Sequence, residues 1–166
     1  AKGVLQIGDG STSGALASGQ INNAGLVLFS RSDLSTFAGN ISGAGQVWQT
    51  GSGETRLSGN LTSTGAIVVS SGTLTVNGTG QVGSGNYSGA LTVASGAAFN
   101  WQSIANQTFG ANSSSIAGAG SFSANASSGT LTIYGTQSFT GTYNFGQAVS
   151  FTGGTNAGIS GLGNAA

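Results

Sequence analysis

The chain contains no cysteine, histidine, proline or methionine, and of its 166 residues only three are basic and three acidic. Without cysteine there is no disulfide framework and no thiolate metal site. Without histidine as well, the Ser-His-Asp and Cys-His routes to nucleophilic catalysis and the commonest metal ligands are gone. The carboxylates are Asp9, Asp33 and Glu54. A glycosidase or acid–base lyase needs at least two of these facing one groove. Asp33 and Glu54, 21 residues apart, could be neighbours on adjacent repeats. The simpler reading makes exposed ion pairs of Glu54 with Arg56 and of Arg31 with Asp33, each two apart on one strand face. The chain is therefore read as a non-enzyme with no metal and no cofactor.

Other absences exclude partners. Lys2, Arg31 and Arg56 are too few and too scattered to grip phosphates, so nucleic acid is not expected. No apolar run approaches the ~18 residues of a membrane span. There is no initiator Met and no signal-like apolar stretch, so Ala1 reads as a processed N-terminus or as a boundary within a longer chain.

What is present is glycine, 32 residues of it, with 37% hydrophobic residues and zero net charge. Disorder calls for low hydrophobicity and high net charge, so this composition reads as folded. Ile21-Asn-Asn-Ala-Gly25-Leu-Val27, Ile41-Ser-Gly-Ala-Gly45-Gln-Val47 and Leu61-Thr-Ser-Thr-Gly65-Ala-Ile67 repeat one phrase every 20 residues. A unit this short cannot bury its apolar face alone and must stack on its neighbours. The corner before it recurs as Gly19-Gln20, Gly39-Asn40, Gly59-Asn60 and Gly80-Gln81. Period-two runs follow at Gly72-Thr-Leu74-Thr-Val76, Gly89-Ala-Leu91-Thr-Val93 and Gly129-Thr-Leu131-Thr-Ile133, each a strand with one apolar face. Ile116-Ala-Gly118-Ala-Gly120-Ser-Phe122 copies the Ile41 phrase, while residues 94–115 and 134–148 fit only with insertions.

No segment carries helical spacing. The expectation is one all-β domain over residues 1–166, a single-stranded parallel β-helix of about 20 residues per rung and ~8 rungs. Period two then sets the faces. Val27 with Phe29, Val47 with Gln49 and Ile67 with Val69 point inward, while Leu28, Trp48 and Val68 form an outward column. A one-residue register shift would exchange them. Such a column is covered by another segment or forms a lateral contact.

Gly3-Val-Leu5-Gln-Ile7-Gly8, the run from Asn22 to Asp33, Ile41-Ser-Gly-Ala-Gly45 and Leu57-Ser-Gly-Asn60 resemble the passenger-associated β-strand repeats of autotransporters, secreted surface and adhesin proteins of Gram-negative bacteria. The likeness is close over residues 3–80 and loose beyond. It implies a right-handed β-helix, secretion to the bacterial cell surface and a stalk-like role. Two features depart from the pattern: polar Thr55 stands where a core aliphatic is usual, and no translocator barrel is present.

Smaller motifs read as structure. Gly8-Asp-Gly10 and Gly78-Thr-Gly80 lack the helix and lysine of a phosphate loop and are turns. The Thr73/Thr75 and Thr130/Thr132 pairs resemble ice-binding arrays, but intervening rungs do not keep the pair. Asn40, Asn60, Asn77 and Asn106 open glycosylation sequons by composition, and Asn40 and Asn60 suit a stacked corner ladder.

Two functions are carried forward. The first is a structural subunit of an extracellular filament or adhesin stalk, its partner a further copy. Ile159-Ser-Gly161-Leu162 opens the Ile41 phrase without its second strand, and Val4, Leu5 and Ile7 supply such a strand, so these five apolar residues are the expected head-to-tail contact, with Leu28, Trp48 and Val68 lateral. The alternative is a carbohydrate-binding or carbohydrate-active β-helix offering exposed Trp48, Trp101, Tyr134 and Tyr143 to a surface polysaccharide or host glycan.

Overall fold

A computed structural model describes residues 2–16, 19–110 and 115–152. Apart from one 3₁₀ turn at Gly83–Gly85, the regular structure among them is β, and the strands pair in parallel with those of the next rung. The fold is the expected β-solenoid.

The first sheet has seven strands, Val4–Ile7, Leu26–Phe29, Gln46–Gln49, Ile67–Val69, Leu91–Val93, Ile116–Gly118 and Ser138–Phe139. The second has six, Ser35–Phe37, Glu54–Leu57, Thr73–Gly78, Ala98–Ser103, Ser121–Ala124 and Thr142–Phe145. The third enters only in later rungs: Asn86–Tyr87, Gln107–Phe109, Leu131–Tyr134 and Val149–Thr152. In early rungs its place is held by a narrow corner ladder in which Ile21, Ile41, Leu61 and Val82 stack in turn.

This explains the loosened repeat. Leu28, Trp48 and Val68 are in register at 20-residue steps, whereas Val68 to Thr92 takes 24 residues and Thr92 to Ala117 takes 25. The extra residues widen the corner into the third sheet. The wider section needs larger fillers, and aromatics supply them: Phe109 meets Phe99, Phe122 and Trp101 edge-on at centroid distances of 5.9, 5.9 and 6.1 Å. Among the described residues seven first-sheet rungs are present, against the eight expected for the whole chain.

The faces fall as expected. Val27, Val47 and Ile67 are each 1% exposed, and Phe29, Gln49 and Val69 share their side. Thr55 takes the core position too, in the column of Leu74 and Phe99. Gly25, Gly45 and Gly65 stack where successive rungs approach most closely: a Cβ on Gly65 would collide with the carbonyl oxygen of Gly45.

Two sequence readings need correction. The Ile116 phrase is out of phase with the Ile41 phrase it copies. Ile41 lies in the corner ladder and leads into the first sheet, whereas Ile116 lies in the first sheet and leads into the second. The phrase encodes strand, tight Gly corner and strand, and so fits either corner. Likewise the three Gly-x-Leu-Thr-aliphatic runs lie one on each sheet.

Buried glutamines finish ladders where rung lengths change. Val82 N–H donates to Gln107 Oε1 and Val82 C=O accepts from Gln107 Nε2, both at 3.0 Å, so one side-chain amide stands in for a backbone strand. Gln137 Oε1 takes the Ile116 N–H in the same manner.

Candidate functional site

The outward column exists and is longer than its apolar part: Gln6, Leu28, Trp48, Val68, Thr92, Ala117 and Ser138 stack in register. Leu28, Trp48 and Val68 are half-buried, shielded by one another. The indole N–H of Trp48 donates to Gln46 Oε1 at 2.9 Å, which lays the ring along its own strand. The apolar strip is therefore three rungs long, with polar or small residues above and below it.

The proposed sugar platform does not assemble. Trp101, expected on the surface, is 0% exposed in the core column of Val76, and Tyr143 faces inward in the column of Phe122. Both sit on the buried parity of their strands, where a large ring fills the widened section. Burial pushes the Tyr143 phenol up to about 12. Only Trp48 and Tyr134 remain outward, and they lie on different sheets. The threonine pairs separate in the same way, Thr73 and Thr75 lying in the second sheet while Thr132 lies in the third, in register with Thr108.

Of the expected head-to-tail residues, Leu5 occupies the core column of Val27 but is 40% exposed, Val4 points outward at 63% exposure, and Ile7 is buried. Ile159 and Leu162 lie outside the described residues.

Five of the six charges gather at the corner between the first and second sheets over three successive rungs: Asp9, then Arg31 and Asp33, then Glu54 and Arg56. Both expected ion pairs form. Arg31 Nε and Nη2 grip the two carboxylate oxygens of Asp33, each at 2.9 Å, and Arg56 Nε meets Glu54 Oε1 at 2.8 Å. These bonds hold the Asp33 and Glu54 carboxyls below their ordinary range, while Asp9 is lowered chiefly by the Ser11 hydroxyl and N–H. A carboxylate so held is a poor proton donor. Among the described residues no group of three acidic side chains is placed to hold a metal ion.

Sequence reading missed what Glu54 does next. Thr75 Oγ1 donates to Glu54 Oε1 at 2.7 Å, Asn100 Nδ2 lies 3.5 Å from Thr75 Oγ1, and the Ser123 hydroxyl donates to Asn100 Oδ1. This polar ladder runs up the outside of the second sheet over four rungs and buries Thr75 completely. Its signal was the outward parity of Arg56, Thr75, Asn100 and Ser123, legible only with the register known. The expected stacking of Asn40 and Asn60 is present, Asn60 N–H donating to Asn40 Oδ1 at 2.8 Å, and a like bond that the sequence did not reveal runs from Thr130 N–H to Asn106 Oδ1 at 2.9 Å.

Comparison with protein-family models, curated proteins and solved structures returns no match. Among the described residues no helix is long and apolar enough to cross a membrane.

Proposed function

We propose that this chain is a structural segment of an extracellular bacterial filament or adhesin stalk, whose work is rung-on-rung stacking. The observation that carries the reading is the state of the core columns at both limits of the described solenoid. At one, Leu5 is exposed from a column whose next member, Val27, is fully buried. At the other, Tyr143, Phe145, Val149 and Phe151 are only partly covered. A parallel ladder with unfinished columns is completed by another rung of the same kind, from a second copy or from more of one chain. An interface of that type is heterologous and does not close, so between copies it propagates. The engaged carboxylates favour this reading over catalysis, and the autotransporter resemblance favours the cell surface.

Light scattering and negative-stain microscopy of residues 1–166 across a concentration series test it. Filaments whose length grows with concentration are expected; a chain that stays monomeric at high concentration even when its sheet edges are uncovered defeats the reading. Trp48→Ser addresses the lateral strip in the same assay, with reduced bundling and unchanged circular dichroism as the expected outcome. The carbohydrate reading keeps one supporting observation, the outward Trp48 ring, and predicts instead a monomer whose tryptophan fluorescence responds to added glycans.

A further inference from the structure

The second sheet begins one rung later than the first. After Val4–Ile7 the chain does not continue into a second-sheet strand; residues 9–16 form a strap over the edge of Ser35–Phe37. The strap is fastened at the corner. Gly10 N–H donates to Ser30 C=O at 2.7 Å and Ser32 N–H to Ser11 C=O at 3.0 Å. Asp9 Oδ1 accepts from both the N–H and the hydroxyl of Ser11 at 3.0 and 2.6 Å, tightening the turn. On its return the strap crosses Gly8 so closely that a Cβ on Gly14, whose φ is +87°, would lie 2.7 Å from the Gly8 nitrogen. Arg31, already bidentate on Asp33, spends its remaining arm on the Gly14 carbonyl.

Beyond that latch the fit is loose. Leu16 packs against the core, but a cavity of about 180 Å³ remains beneath, lined by Ile7, Leu16, Phe29, Leu34 and Phe37 among others. Among the described residues no ladder joins the strap to Ser35–Phe37. That strand bonds inward through Phe37 C=O, which accepts from Ser58 N–H, so by parallel-sheet alternation the N–H and C=O of Thr36 point off its outer edge. The outer edge of a six-stranded parallel sheet, with no strand partner among the described residues, is a template for another strand.

We propose that residues 9–16 are an autoinhibitory cap, latched by Arg31, that keeps the Ser35–Phe37 edge from accepting a strand of a second copy. The proposal rests on the stacking reading, since it names the gate on that process. A second copy is the fitting occupant because the edge continues a six-stranded sheet whose far end, Thr142–Phe145, runs parallel to it with core columns in register through the rungs between. Cohesion elsewhere in the solenoid comes from continuous ladders and core, whereas the strap is held by two backbone hydrogen bonds near its start, by Leu16 and by the Arg31 guanidinium on Gly14, so its return limb is the part that local opening releases first.

Three variants of the full chain decide it. Arg31→Gln removes the latch, Gly14→Val unseats the strap by collision without altering charge, and Arg56→Gln removes the other ion pair as a control. The first two are expected to speed proteolysis within residues 9–16 and hydrogen exchange at the Thr36 amide by at least about tenfold, the scale of one lost charge-assisted hydrogen bond. Exchange in Ala98–Ser103 should not move. Both should then elongate faster than wild type, with the Thr36 amide protected again in the assembled state; Arg56→Gln should match wild type throughout. A strap that stays closed in both variants overturns the latch. One that opens without faster elongation, or without renewed protection at Thr36, overturns the cap. The two readings fail separately: variants that open and still stay monomeric overturn stacking itself, whereas variants that open and elongate only at the wild-type rate overturn the cap alone.

Discussion

At the scale of single residues, burial parity decides what a position tolerates. Val47 sits in an unbroken aliphatic column, while Gln46 beside it is exposed and already offers an oxygen to Trp48. Val47→Asp would place an unpaired carboxylate in the stack at a cost of several kcal/mol, a large share of the ~5–15 that hold a domain together. The expected outcome is an unfolded or aggregated chain by circular dichroism, whereas Gln46→Asp, which keeps an acceptor for the indole, should melt within a few degrees of wild type. Equal behaviour of the two would mean that the faces are misassigned. Gln49 is a polar residue of the core bonded on one side: its amide donates to the Gly51 carbonyl at 2.9 Å, while its Oε1 is buried without a partner.

At the scale of elements, the vulnerable points are those where a side chain substitutes for a strand. Gln107 satisfies both backbone groups of Val82, which is 0% exposed. Gln107→Leu fills the same volume but strands a buried N–H and C=O, so a loss of roughly 2–5 kcal/mol is expected, at ~1–3 for each orphaned group. Calorimetry gives the size, and faster exchange at the Val82 amide gives the place. A melting point equal to wild type would show that the amide plug contributes nothing to the change from corner ladder to third sheet.

For the whole molecule, pH dependence follows from what can titrate. Asp9, Asp33 and Glu54 have lowered carboxyl pKa values in the fold, so the stability they contribute is present above the ordinary carboxylate range and is lost as pH falls through their folded values. All three sit at the surface, so that loss is small. Tyr87 and Tyr143 are raised by burial, so their contribution is complete below pH ~10, the free phenol value, and is lost as pH rises above it. With no histidine and no cysteine, no side chain titrates between. The melting temperature should be flat from about pH 5 to 9, drop slightly below about 4 and drop more steeply above about 10. A slope inside the plateau would contradict this assignment of ionisable groups.

The sequence by itself determined the architecture, because a 20-residue phrase with one apolar face has no way to bury that face except by stacking, and period two then assigns inside and outside. It determined the two ion pairs, whose partners are two apart on one strand face, and the Asn40–Asn60 corner, which the strict 20-residue step stacks rung on rung. It did not determine phase. The Ile41 and Ile116 phrases are nearly identical yet occupy different corners, since a strand–Gly–strand phrase carries no label for which corner it turns. Nor did it show that Trp101 is core, because outside the strict repeat the parity of an aromatic depends on a register set several rungs away. The polar ladder from Glu54 to Ser123 and the strap over Ser35–Phe37 unite residues 17 or more apart in the chain. Only stacking, which turns sequence distance into a rise of about 4.8 Å per rung, makes neighbours of them.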